Sequence, residues 1–407
     1  MKILRIIARL NVGGPARHVV WLTEALNDTE FESLLIAGTV PPGEEDMGYL
    51  AAERGVEPVY VKEMSRELSP KDIVSLAKIY RGMRLYRPDV VHTHTAKAGT
   101  VGRTAAFLYR WLTPGTLIGR PRRVRIVHTF HGHVFHSYYG RAKTRLFLFI
   151  ERMLARVTDR IVVISRRQME EISREFAVSR ATRFAVIPLG IDLEPFTDSA
   201  SARAAFRSEI GASESDIVVG FIGRLTEIKN IQMLLAAAAA VRKSSDAAAG
   251  RLRFVIAGDG HLRAGLEETA AELGVEGLVS FIGNRTDIPA VYAGMDIVAL
   301  TSLNEGTPLS LIEAMAAGRP YISTRVGGVA DLLGESVETY GRFTLYERGL
   351  GTEPNETGGF AEGLIYLAKN ERLRNELGTL GRNHVQRNYS KDRLIDDIKN
   401  LYRELAV

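Results

Sequence analysis

The sequence predicts an α/β protein made of doubly wound parallel sheets, on three observations. Short apolar runs at 218–223, 252–258 and 279–283 each end in a glycine turn and lead into a helix-length segment. That is the spacing of βαβ units, which build parallel sheets. A chain of 407 residues is long enough for two or three domains with large cores. Residues 184–192 read as a short strand followed by a proline–glycine turn, Pro188-Leu189-Gly190, which marks a boundary. The domains predicted are 1–195 and 196–385, with a helix of charged face in the tail 386–407.

Taken in order, residues 1–10 form the first strand. Arg5 and Arg9 interrupt any signal-peptide core there. The strand delivers the chain to Gly13 and Gly14, ahead of a helix. Paired glycines at such a point let backbone N–H groups approach a phosphate, and they equally fit a tight turn with no ligand. Residues 90–99 are a strand end carrying His92, His94 and Lys97. His94 and Lys97 are candidates to meet an acceptor, or are simply solvated. Residues 127–136 are a further strand end, with His128, His131, His133 and His136. His133 is a weaker acceptor candidate.

Six of the nine histidines fall between His92 and His136. An H-x-H pair on a strand puts both rings on one face, which raises the question of a metal. No acidic ligand lies nearby in sequence, and the expectation is no metal site. Residues 141–156 form a helix with both arginines and an apolar run, 146–150. Such a helix fits an anionic membrane surface, or ordinary packing on a sheet.

The second domain is the more informative. Arg224 follows the glycine turn after the strand at 218, and Lys229 comes soon after. Two cations at the C-terminal end of a parallel strand form a pyrophosphate clamp. Gly258-Asp259-Gly260 is not a dinucleotide fingerprint, because the third glycine would fall at Arg263. Asn284 and Arg285 follow the next strand and are placed to meet a nucleotide base. Residues 295–301 read as a buried strand, and 309–317 as a helix stopped by Gly318 and Pro320. Glu305 therefore sits on the loop before a helix N-terminus, and Glu313 sits within the helix. By helical rise they stand on the order of 10 Å apart, too far for a paired-acid hydrolase. The spacing suits two acceptors at opposite ends of one long polar ligand. Gly306, Thr307 and Leu309 line the helix start, where N–H groups favour an anion. Thr324 to Val329 closes the strand series, and 349–359 reads as a loop.

Composition removes some functions. There is no cysteine, so disulfides, thiolate metal sites and cysteine nucleophiles are excluded. No apolar run approaches the roughly 18 residues of a membrane-spanning helix. Residues 1–190 hold 30 Lys+Arg against 18 Asp+Glu, a net of +12, and the rest hold 23 against 30, a net of −7. The basic half carries the cluster Arg120, Arg122, Arg123 and Arg125. An anionic membrane surface is the partner this favours. Nucleic acid is not expected, since no nucleic-acid motif is present.

In order, Gly223-Arg224…Lys229, Gly258-Asp259-Gly260, Phe281-Ile282-Gly283, the stretch 305–313, Glu313-Ala314-Met315-Ala316-Ala317-Gly318 and Val326-Gly327-Gly328 resemble the GT4 family of retaining glycosyltransferases. The likeness runs through nearly the whole chain and is strongest at 216–333. It implies the GT-B fold, two Rossmann-like domains facing across a cleft, with the tail helix crossing back onto the first. The linker departs from the family's pattern at Leu189, where an asparagine or proline is usual.

What the resemblance implies for the site is specific. His131 lies beneath the donor sugar and hydrogen-bonds a hydroxyl or the leaving phosphate. Arg224 and Lys229 neutralise that phosphate, Glu305 holds the sugar and Glu313 the ribose. Gly13 and Gly14 lie beside the donor phosphates. No cofactor or metal is expected, only a UDP-sugar donor, and no carboxylate is evident as a nucleophile. The segments 92–99 and 128–140 resemble exopolysaccharide and capsule transferases. The expected activity is transfer of a hexose or N-acetylhexosamine to a polyprenyl-diphosphate-linked saccharide, by a cytoplasmic enzyme peripheral on the inner membrane. A soluble transferase with a small acceptor, an epimerase of the same fold and a non-catalytic nucleotide-sugar-binding module are the alternatives. The epimerase lacks the two-glutamate stretch.

Overall fold

A computed structural model describes residues 1–11, 13–41, 46–64, 70–131, 141–197 and 200–406, with the side chains of 141–143 left aside. The chain divides into two units, Met1–Gly190 with Asp392–Val407, and Ile191–Lys391. The boundary thus lies a few residues before the expected 195. The return lies a few residues after the expected 386, because the helix Glu371–Asn388 packs within the second unit.

The first unit holds seven strands: β1 (Lys2–Ile7), β2 (Glu32–Gly38), β3 (Val59–Val61), β4 (Val90–His94), β5 (Arg125–Phe130), β6 (Arg160–Val163) and β7 (Phe184–Val186). Their order is β3-β2-β1-β4-β5-β6-β7, parallel throughout. The order reverses direction at β1, and the C-terminal ends of β1 and β4 flank that switch point. Ligands of open α/β sheets bind outside such strand ends. β4 and β5 are buried on both faces even at His92, Thr93, His94, His128 and Thr129, so these polar side chains lie inside the unit. The last helix, Lys391–Ala406, lays Leu394, Ile398, Leu401, Tyr402 and Leu405 against Ile3, Leu22, Val90 and Val127. These positions recur at helical spacing, so one apolar stripe faces the sheet.

The second unit holds β8 (Ile217–Ile222), β9 (Leu252–Ala257), β10 (Val279–Gly283), β11 (Ile297–Leu300), β12 (Tyr321–Thr324), β13 (Ser336–Tyr340), β14 (Phe343–Tyr346) and β15 (Leu350–Thr352). The order is β10-β9-β8-β11-β12-β15-β14-β13. β14 runs antiparallel to both of its neighbours. Two expectations are corrected here. The strand series does not close after Thr324 but continues through a three-stranded extension. Within 349–359, taken as loop, Leu350–Thr352 pairs parallel with β12 and Thr357 starts a helix. A three-residue strand among glycines carries no alternating pattern of its own, and its pairing with β12 defines it.

Candidate functional site

In the second unit the glycine turns pack on one another at the C-terminal strand ends. Gly223 donates its N–H to Ala257 O at 3.0 Å, Leu225 to Asp259 O at 2.9 Å, and Gly258 to Gly283 O at 2.7 Å. A Cβ on Gly258 would lie 1.9 Å from Gly223 O, and one on Gly260 would lie 2.3 Å from Leu225 O. The Gly-Asp-Gly turn is therefore a backbone-on-backbone contact that holds the Arg224 loop. Arg224 itself is exposed and has no side-chain partner among the described residues.

Lys229 ends a short 3-10 turn, Glu227–Lys229, and its Nζ donates to Glu305 Oε1 at 2.5 Å. Ser302 Oγ donates to the same oxygen at 2.6 Å. Both charges are largely buried, Lys229 at 20% and Glu305 at 12% side-chain exposure. The loops beneath are tied together: Leu303 N–H reaches Ile228 O at 2.8 Å and Thr301 Oγ1 reaches Lys229 O at 3.0 Å. The helix Leu309–Ala316 begins directly after Pro308, close to its expected span. Its first amides, at Leu309 and Ser310, lack intrahelical acceptors by geometry. Thr307 Oγ1 is buried, with no partner among the described residues. Within the helix, Glu313 Oε2 and Ser310 O share the single proton of the buried Tyr292 hydroxyl, at 3.1 and 2.8 Å.

The expected Val326-Gly327-Gly328 motif also has a structural role. Gly328 N–H donates to Glu305 O at 3.2 Å. A Cβ on Gly327 or Gly328 would stand 1.8 Å from Glu305 O or Gly306 O. Only glycine lets this turn support the Glu305 loop so closely.

Two expected roles meet a different environment. Arg285 is held by Asp287, at 2.8 and 2.7 Å, and by Glu209. These carboxylates raise its already high pKa, so the guanidinium is committed to them rather than extended toward a base. Asn284 beside it is exposed. Lys97 is 6% exposed and paired with Asp72, because an ammonium buried there needs a counter-charge. The sequence reads Lys97 as meeting an acceptor or as solvated, and the buried pair with Asp72 fits neither. His133 and His136 lie outside the described residues.

In the first unit, Gly13 sits at φ 152° before the helix Gly14–Ala25, and Gly14 opens it. His18, one turn into that helix, meets His94 and His131. His94 Nδ1 and His131 Nε2 are 3.0 Å apart. Beneath them His92 is fixed by Tyr402 Oη at 2.6 Å and Thr129 Oγ1 at 2.7 Å. Loss of water on burial holds His18, His92, His94 and His128 well below the usual imidazole range, and His131 at about 4. All are neutral at pH 7. The sequence singled out His94 and His131 but not His18 or Tyr402. His18 stands four residues after Gly14, on the same helical face, but no linear pattern joins it to strands more than 70 residues away. Tyr402 lies about 310 residues from His92.

Residues 12–195 match the model of glycosyltransferase family 4, and residues 202–384 match that of the glycosyl transferases group 1. Over 402 residues the chain is 27% identical to an Escherichia coli UDP-Gal:alpha-D-GlcNAc-diphosphoundecaprenol alpha-1,3-galactosyltransferase, covering 95% of this chain and 96% of that one. It is 30% identical to a Mycobacterium tuberculosis GDP-mannose-dependent alpha-mannosyltransferase, covering 79% and 78%. Anabaena HepE in complex with UDP shares the fold at a TM-score of 0.78 with 21% identity, covering 99% of this chain and all of that one. The two Rossmann-like units are those of the GT-B fold, and the chain belongs to family 4 of the glycosyltransferases.

Proposed function

We propose that this glycosyltransferase moves a hexose or N-acetylhexosamine, with retention, from a UDP-sugar to a saccharide carried on a polyprenyl diphosphate, in surface-polysaccharide assembly. The observation that carries this reading is the similarity to the E. coli galactosyltransferase over nearly the full length of both chains. Arg224 and Lys229 stabilise the charge that grows on the leaving diphosphate, as preorganised cations do best. Glu305, already oriented by Ser302, takes the sugar hydroxyls, and Glu313, oriented by Tyr292, takes the ribose. With Lys229 and Arg224 supplying charge, the transfer needs no bound metal. His131, neutral, can exchange one hydrogen bond with a sugar hydroxyl or a phosphate oxygen.

The lipid part of the proposal has support in the first unit. A groove of about 940 Å³ is lined by Arg110, Arg120, Arg122, Arg123, Arg125 and Trp111. Beside it Leu112, Leu117 and Ile118 are 64%, 90% and 72% exposed. Arg122 and Arg125 also bond backbone carbonyls, at Tyr109 and Leu405. Arg120 and Arg123 are exposed and suit anionic headgroups. Among the described residues no helix is long and apolar enough to cross a membrane. A small soluble acceptor is the second reading, favoured by several D-inositol 3-phosphate glycosyltransferases that are 28–29% identical over 78% of this chain.

The test is transfer from UDP-galactose, UDP-glucose and their N-acetyl forms to GlcNAc-diphosphopolyprenol in anionic vesicles, with inositol phosphate as the competing acceptor. Lipid-linked product is expected. Binding to the vesicles should fall with salt and on Arg120→Glu with Arg123→Glu. Product on inositol phosphate alone would establish the second reading.

A further inference from the structure

His18, His94 and His131 come from three separate elements, a helix and the ends of two strands, and converge. One ligand nitrogen from each lies within 4.8 Å of the other two. We propose that these three imidazoles form a binding site for a borderline transition-metal ion, zinc first. This goes beyond the transferase reading and does not rest on it.

Four observations support the site. Among the described residues no carboxylate bonds any of the three rings, and within the site only His94 Nδ1 and His131 Nε2 satisfy each other. Both nitrogens of His18, the ring outside that contact, have no hydrogen-bond partner among the described residues. Native proteins leave few buried polar atoms in that state, and a bound ion is one way to satisfy them. His18 and His94 are 5% and 0% exposed, and burial keeps all three rings in the neutral form that a metal requires. The spacing is also right. With Zn–N bonds of about 2.0–2.1 Å, tetrahedral ligand nitrogens stand about 3.3 Å apart. His94 Nδ1 and His131 Nε2 are already at 3.0 Å, and His18 offers a nitrogen to a set that spans at most 4.8 Å.

The donor set also fixes the class of ion. Imidazole suits zinc, copper and nickel, whereas magnesium and calcium require oxygen. Three protein nitrogens leave a fourth position open. When the ion binds, the proton shared between His94 and His131 moves to the outer nitrogen of its own ring, so no proton is released. Where His131 serves the reacting sugar, the ion takes that nitrogen and zinc inhibits transfer. That consequence is separate from the binding.

The experiment is calorimetry of the full chain, stripped with chelator, titrated at pH 7.5 with zinc and in parallel with magnesium. One equivalent of zinc is expected at micromolar affinity or tighter, with no magnesium. His18→Asn and His94→Gln should each weaken zinc at least tenfold. His261→Asn, at a surface histidine paired with Glu227, should leave the zinc affinity unchanged. A Co²⁺ adduct of the wild type should show the visible absorption of tetrahedral coordination, a readout that needs no variant. No zinc equivalent with no tetrahedral cobalt spectrum would overturn the site. So would zinc binding that survives His18→Asn or is lost with His261→Asn.

Discussion

Lys229 Nζ and Glu305 Oε1 lie 2.5 Å apart, so the residues proposed to meet the leaving phosphate and the donor sugar form one ion pair. In the proposed roles, an arriving diphosphate competes with Glu305 for the ammonium. A sugar hydroxyl replaces part of what Glu305 loses. The pair thus keeps two partly buried charges satisfied between turnovers.

Lys229→Ala should lower turnover by two or more orders of magnitude, as loss of one transition-state donor does. It should also lower stability by about 1–3 kcal/mol, since Glu305 keeps only Ser302 as a partner. Adding Glu305→Gln should recover part of that stability and none of the activity. Arg224→Ala should lose activity equally without a stability cost, because Arg224 is exposed and unpaired among the described residues. Urea denaturation and initial rates on the four proteins check this. Equal stability of Lys229→Ala and wild type would show that the pair contributes nothing to folding.

Glu313→Ala should weaken UDP itself, whereas Glu305→Ala should leave UDP affinity nearly unchanged and depress transfer. Tyr292→Phe removes the hydroxyl that orients Glu313 and should weaken UDP by about 0.5–1.5 kcal/mol. Calorimetry with UDP measures all three. Loss of UDP binding in Glu305→Ala alone would reverse the ligand's orientation.

Gly328→Ala is a test of the turn beneath Glu305. The backbone there, φ −71°, accepts alanine, so any effect comes from the Cβ that would meet Gly306 O. The cost should be about 1–3 kcal/mol, with a larger loss of transfer than of stability. Thermal melts and rates decide it. An unperturbed variant would mean that the loop yields freely.

Asp28 ties the last helix to the first unit. The Lys399 ammonium, 2.8 Å away, and the amides of Phe31 and Glu30 hold its carboxyl at about 2. A carboxyl depressed on folding stabilises above its unfolded pKa, about 3.9, and stops doing so as pH falls through 2. Hydrogen exchange over 391–406 should therefore show full protection at pH 4 and a decline towards pH 2. Asp28→Asn should flatten that decline. A wild-type profile with no change would remove this pair as an anchor.

Much of the second unit was legible because its chemistry is local. The glycine turns follow their strands directly, and helix 309–316 is bounded by Pro308 and Gly318 in sequence. What stayed hidden depends on distant partners. Lys97 reads as a cleft lysine until Asp72, 25 residues upstream, is placed beside it. Arg285 reads as a base contact until Glu209, 76 residues upstream, closes on it. β15 is three residues long and exists only as the strand between β12 and β14. His18 joins the other histidines because a helix and two strand ends meet, and that meeting is a property of topology rather than of spacing.

The last helix has one more consequence, for the order in which the protein is made. Leu394, Ile398 and Tyr402 complete the core around Ile3 and Leu22, residues synthesised well before them. At 5–20 residues per second, about 20–80 s separate the synthesis of Ile3 from that of Tyr402. Through that interval Ile3, Leu22, Val90 and Val127 lack the apolar stripe of the last helix that packs on them in the finished fold. The second unit has all of its core residues in one continuous stretch and can close on itself while the first still waits.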